Sequence, residues 1–118
     1  MNRVRREAWG RLAETLAAWS LRLRGYQVVA RRFRTPLGEI DLIVRRGRLL
    51  AFVEVKARAD RDEALAALGR YQRERTERSA QLFLALHPRY RDHDLRFDVV
   101  AVRPWRLPHH LRDAWRPG

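Results

Sequence analysis

Between Asn2 and Arg24 apolar residues recur at helical spacing: Ala8, Leu12, Leu16, Trp19 and Leu23, with Trp9 and Ala13 beside them. Gly25 follows as a stop, so the segment reads as an amphipathic helix. The period then changes. Tyr26 to Phe33 is rich in Val and aromatic residues, Glu39 to Val44 alternates polar with apolar, and Arg48 to Arg58 carries the run Leu49 to Val53 before alternating again. These segments predict three strands. Thr35-Pro36-Leu37-Gly38 and Arg46-Gly47 punctuate them, and the second break is short enough for a tight hairpin, which makes the second and third strands antiparallel neighbours. Asp60 to Leu86 is helical in composition, with Gly69 as the point where it can kink, and Pro88 ends it. Leu95 to Val102 predicts a last strand. The tail from Arg103 to Gly118 holds Pro104, Pro108 and Pro117, and is expected to pack as irregular structure or as a short helix around Leu111 to Trp115. The order α-β-β-β-α-β predicts an α/β fold with a mixed central sheet flanked by helices.

At 118 residues the chain is one ordinary domain, read as 1–118 with a basic, Pro- and Trp-containing tail from 103. Its 26 Lys and Arg against 14 Asp and Glu leave a net charge of +12, so polyanions are the natural partners. The longest uninterrupted apolar stretch, Leu49 to Val53, is far too short to span a bilayer, and no membrane role is expected. Glu7, Arg11 and Glu14 interrupt what would be the apolar core of a signal peptide, which predicts an unprocessed cytoplasmic protein. Without cysteine, any metal must be bound through oxygen or histidine. Of the 26 basic residues 25 are Arg, and the one Lys is Lys56. Arg offers a permanent, planar fork of donors, whereas Lys offers a compact and tunable charge, so a position that keeps Lys in this background invites a chemical reason.

On the second predicted strand Glu39 and Asp41 alternate with Ile40, Leu42 and Val44, which directs the carboxylates to one face and the aliphatics to the other. Glu54 and Lys56 share a face of the third strand. Hairpin pairing lets Asp41 and Glu54 approach across the two strands, bringing two acids and one ammonium together in an otherwise apolar sheet. Unpaired ions there cost several kcal/mol each, so they must neutralise one another, bind a cation or be solvated at a strand end. Mg²⁺, or Mn²⁺ in its place, takes one or two carboxylates plus waters and phosphate oxygens. Asp41, Glu54 and the backbone carbonyl of Val55 can supply that share, with Lys56 facing an attacking water. Such a set suits phosphodiester hydrolysis. The competing reading is a buried acid-lysine ion pair with no catalysis.

Gly38-Glu39-Ile40-Asp41-Leu42-Ile43 followed by Phe52-Val53-Glu54-Val55-Lys56-Ala57-Arg58 resembles the uncharacterised bacterial YraN-type proteins. These in turn look like members of the PD-(D/E)xK nuclease superfamily and are similar to archaeal Holliday-junction resolvases. The resemblance extends over Gly10 to Glu14, Gly25-Tyr26, Arg96 to Val102, and His110 with Asp113 to Trp115. It implies a restriction-endonuclease-like αβββαβ core in which Asp41, Glu54 and Lys56 are the metal-binding and catalytic positions, with Glu14 as a further acid. It also implies structured DNA as substrate, in repair or recombination. The Pro expected before the catalytic Asp is replaced by Ile40. Dimerisation, known for related resolvases, is left open.

Other residues carry weaker signals. Glu14 shares a helix face with Gly10, Ala17, Ala18 and Leu21, so a small-residue surface can bring it near the sheet, as ligand or as plain surface acid. Glu39 can steer water near the pair or form a salt bridge to Arg. The second long helix has a polar middle, Gln72, Thr76 and Ser79, inside an apolar stripe, and Gln72 is its candidate for touching the site. Asp98 is expected to satisfy backbone or an Arg. The histidines lack zinc-like spacing and are assigned no metal. Arg31, Arg32, Arg34, Arg45, Arg46, Arg58 and Arg73 are expected to contact phosphates of nucleic acid, DNA above all, without reading sequence. Two rival functions use the same surface: a nucleic-acid-binding module that keeps the fold without cutting, and a basic scaffold with a structural ion pair.

Overall fold

A computed structural model describes residues 2–57 and 61–117. The first helix, α1 (Arg3–Leu23), is capped by the Asn2 side chain, whose oxygen accepts the Arg5 N–H at 2.9 Å. Strands β1 (Gln27–Thr35), β2 (Gly38–Arg46) and β3 (Leu49–Lys56) follow as an antiparallel meander. The turn between β2 and β3 depends on Gly47, whose φ of 62° suits glycine. Helices α2 (Arg61–Ala66) and α3 (Arg70–Leu86) then carry the chain back, so that β4 (Asp94–Ala101) lies parallel to β3. A fifth strand, β5 (His109–Trp115), closes the sheet antiparallel to β4, giving the order β1-β2-β3-β4-β5. The mixed α/β architecture and the α-β-β-β-α-β core order are those the periodicity predicts. No helix among the described residues is long and apolar enough to cross a membrane.

The predicted helix from Asp60 to Leu86 divides at Gly69, which serves as the N-cap of α3; Asp60 lies outside the described residues. From Arg103 to Pro108 the tail is irregular, as expected, but His109 to Trp115 is a strand where a short helix was the alternative. Its pairing is fixed by Asp98 on β4, whose buried carboxylate accepts the Asp113 N–H at 3.0 Å and lies 2.7 Å from His110 Nε2. Arg96 grips the same carboxylate with two bonds of 2.8 Å and reaches the Tyr26 hydroxyl. Burial works against the charge, but the bonds from His110, Arg96 and the Asp113 amide hold Asp98 below the usual carboxylate range. Trp115 stacks on Phe97 and donates to Glu77 at 2.8 Å, closing the core. Pro104 and Pro108 fall before the strand, where no ladder donor is required.

Two apolar layers sandwich the sheet. One joins Ile40, Ile43, Phe52, Val99 and Trp115 to Phe83 of α3; the other joins Leu42, Val44, Ala51, Val53 and Val100 to α1. The face of α1 that packs is the small-residue one, Ala13, Ala17, Ala18 and Leu21. The larger stripe expected to face the core lies outside: Leu12, Leu16, Trp19 and Leu23 are all exposed. Alanines let the helix axis approach the sheet closely, and that contact leaves the bulkier residues one step around the helix with nothing to cover them. Glu14 rides on this close-packed side.

Replacing Leu21, fully buried, with Ala should cost about 2–5 kcal/mol, while Leu23→Ala should stay within about 0.5 kcal/mol. Urea unfolding of the two variants measures the difference, and equal costs would mean that α1 packs through its other stripe.

Candidate active site

The alternation expected along β2 fails at Asp41. Ile40 belongs to the layer against α3, whereas Leu42 and Val44 belong to the layer against α1, so these aliphatics do not share one face. The partner strand supplies the reason. Arg31 pairs with Leu42 and Phe33 with Ile40, which leaves Arg32 opposite Asp41, and Arg32 has φ 51°. One residue in left-handed conformation turns the strand over, so Arg31 reaches Thr15 of α1 while Phe33 meets Phe83 of α3. Asp41 sits at this reversal.

The ladder between β2 and β3 also stops there. Its last pair is Leu42 with Val53, and in place of the next rung the Val55 N–H donates to Asp41 Oδ2 at 2.8 Å. The strands part, and a carboxylate occupies the gap where a backbone carbonyl would otherwise sit. Glu54, buried, faces Asp41 across the gap, and their carboxyl groups are within hydrogen-bonding reach of each other. From α3, Thr76 Oγ1 donates to Glu54 Oε1 at 3.0 Å and Gln72 Nε2 reaches Oε2 at 3.4 Å. The same Gln72 accepts from Lys56 Nζ at 3.0 Å, so a single amide orients both the acid and the ammonium. Gly38 allows α3 this near, because a Cβ there would press to 3.3 Å on Arg75 and Ser79. The result is an open cleft of about 530 Å³ lined by Glu39, Asp41, Glu54, Val55, Lys56, Tyr71, Gln72, Arg75 and Thr76.

Burial, the neighbouring Asp41 charge and the bond to Asp41 push Glu54 up to about 9. Burial likewise raises Asp41, against the opposing bonds from Val55 and Glu54. Two carboxyl groups this close do not readily both ionise, so one proton is held between them. Among the described residues no third acid or histidine joins them at one point.

Of the weaker candidates, Gln72 is in the cleft and Glu39 lines its edge, 3.6 Å from Arg34. Glu14 is bonded to Arg32 at 2.8 Å and is not among the lining residues. That bond raises the Arg32 guanidinium above its ordinary value and ties α1 to the reversal in β1. The proposed phosphate-binding arginines divide. Arg32 and Arg34 lie along β1 beside the site and Arg31 turns to Thr15 of α1, while Arg45 and Arg46 sit four and five residues up β2 from Asp41, roughly 13 and 17 Å away, bonded to Gln27 and to the Arg24 carbonyl. Arg73 on α3 buries its Nε with no hydrogen-bond partner among the described residues, and Arg58 lies outside them. Sequence reasoning named Thr76 only as part of the polar middle of α3 and did not single out Tyr71. The available signal was the polar interruption in the apolar stripe of α3, which marks the turn facing Glu54.

A family model described as "Uncharacterised protein family UPF0102" matches residues 13–102, from α1 through β4. The UPF0102 protein of Parvibaculum lavamentivorans is 60% identical over 108 residues, covering 92% of this chain and 81% of that protein. A UPF0102 protein of Paramagnetospirillum magneticum is 50% identical over 111 residues, 91% and 86% of the respective chains. One from Chelativorans sp. is 47% identical over 115 residues, 98% and 93%.

An acid whose folded pKa is raised gives stability that is complete below its unfolded value of 4.5 and is lost as pH climbs towards about 9. In EDTA the thermal midpoint should therefore fall between pH 5 and 9. Glu54→Gln should flatten that slope and melt higher than wild type at pH 8, and Mg²⁺ should raise the wild-type midpoint at pH 8 but not that of the variant. A wild-type midpoint indifferent to pH would contradict the shared-proton geometry.

Proposed function

The chain belongs to the uncharacterised protein family UPF0102, and on the geometry of its cleft we propose that it is a metal-dependent nuclease of the PD-(D/E)xK type, hydrolysing phosphodiesters of DNA. One observation carries the reading: Asp41 and Glu54 meet where β2 and β3 part, with Lys56 held beside them by Gln72. Asp41, Glu54 and the carbonyl of Val55 would hold Mg²⁺ or Mn²⁺, which when bound supplies charge neutralisation at phosphate and a more acidic water.

The protein's own groups do the rest. Thr76 and Gln72 fix the Glu54 carboxyl, and the Val55 amide fixes that of Asp41, so neither must reorganise when substrate arrives. Lys56 is anchored at one proton by Gln72, and its other two donors, unpartnered among the described residues, suit a water or a non-bridging phosphate oxygen. Arg75 lines the cleft and Arg34 stands beside Glu39 at its edge, and both supply positive charge to a passing backbone. A net charge of +12 supports sequence-independent attraction to nucleic acid that weakens with salt. Structured DNA is the substrate class suggested by the resolvase resemblance, and the setting that goes with it is repair or recombination in the cytoplasm.

Labelled four-way junction, duplex and single-stranded DNA should be cut with Mg²⁺ or Mn²⁺ and left intact in EDTA. Asp41→Asn, Glu54→Gln and Lys56→Ala should each lose at least about a hundredfold in rate while binding DNA as wild type does. A wild type that binds every substrate and cuts none would replace this reading with a binding module that keeps the fold.

A further inference from the structure

Trp105 is fully exposed, at 101% of its reference area, in a backbone conformation with φ 61°. A bulky side chain in the left-handed region is an outlier that surrounding structure must enforce, and here no packing contact repays it. Its surroundings are not those of a loose loop. The segment Arg103-Pro104-Trp105-Arg106-Leu107-Pro108 links β4 to β5, with φ fixed at two prolines. It springs from Val102, which is fully buried and donates its N–H to the Lys56 carbonyl at 2.9 Å. Lys56, Ala101 and His109 form one rung across β3, β4 and β5. Three residues of chain reach at most about 11 Å, so the Trp105 backbone lies within roughly 17 Å of that of Lys56.

Beside this loop is a depression of about 600 Å³ lined by Arg24, Leu107, Pro108, His109, His110 and Arg112. Arg24, Arg106 and Arg112 are exposed, and none is ion-paired among the described residues. An aromatic face held out on a stiff loop, two residues before a depression bordered by the uncommitted guanidinium groups of Arg24 and Arg112, has the chemistry of a nucleobase platform flanked by phosphate contacts. It does not have that of a duplex reader, since paired bases offer no free face to a ring approaching from outside.

We infer that Trp105 stacks on an unpaired or splayed nucleobase a few nucleotides from the scissile phosphate, while Arg24, Arg106 and Arg112 carry that strand's backbone. This selects single-stranded or frayed nucleic acid over continuous duplex. The inference rests on the nucleic-acid part of the proposed function and not on cleavage. It adds a stacking contact to the phosphate contacts expected from the arginines; its signal is the exposure of Trp105, which the residue order does not display.

Fluorescence anisotropy in EDTA, with a labelled twelve-nucleotide single strand, a forked duplex and a blunt duplex, separates this from the cutting reaction. Trp105→Ala should weaken single-strand and fork binding about tenfold or more and change blunt-duplex binding less than twofold, with an unchanged melting temperature. Trp105→Phe should keep most of the affinity, and the emission difference between wild type and Trp105→Phe should be quenched by the single strand. Equal losses on all three substrates, no loss on any, or no binding of any oligonucleotide would overturn the inference. So would a blue shift of that emission with anionic phosphatidylglycerol vesicles but none with DNA, which would make the loop a membrane contact. Failure of the cleavage assay leaves these binding outcomes standing, and failure here leaves the Asp41 and Glu54 chemistry standing.

Discussion

The 2.8 Å bond from the Val55 amide to Asp41 Oδ2 is the constraint on which the site depends. A β-ladder that ends inside a sheet leaves donors and acceptors that must be satisfied, and here a side chain takes the place of a backbone carbonyl. The substitution parts β2 from β3 without leaving the amide unpaired, and the opening it makes is the floor of the cleft. The same bond fixes Asp41 opposite Glu54. The left-handed turn of Arg32 and its bond to Glu14 support it from behind, since they rotate β1 and β2 so that Asp41 stands at the reversal and not in either core layer.

Around that opening the molecule divides its charged groups between two tasks. Asp98, held by Arg96, His110 and the Asp113 amide, is fully compensated and joins β4 to β5. Among the described residues Asp41 and Glu54 are compensated by each other and by hydrogen bonds from neutral groups, with a further contribution from Lys56. Burial lifts both of these carboxyls, while abundant donors lower Asp98. The contrast distinguishes an ionic strut from a pair still open to a cation, although all three acids lie on interior strands of one sheet.

Much of this was legible in the residue order. Strand boundaries, the hairpin at Gly47 and the meeting of Asp41 with Glu54 follow from alternation and turn chemistry, and the polar interruption in α3 pointed to Gln72. Three features were not legible, each for a physical reason. The core face of α1 was misread because hydrophobicity favours Leu12, Leu16, Trp19 and Leu23, whereas close approach to the sheet favours Ala13, Ala17 and Ala18. Left-handed backbone at Arg32 leaves no mark in an Arg-rich stretch, so a regular alternation was expected through Asp41. The tail was not read as a strand because what holds it there, the buried Asp98, lies eleven residues before it in the chain.

The central claim is that the Asp41 and Glu54 carboxyls share a proton which a divalent cation replaces. Calorimetric titration with Mn²⁺ near pH 7.5, repeated in two buffers of different ionisation enthalpy, counts the protons exchanged. One site per chain releasing about one proton per cation, with both binding and release abolished in Glu54→Gln, is the result this account predicts. Binding without proton release, or binding that persists in Glu54→Gln, would contradict it.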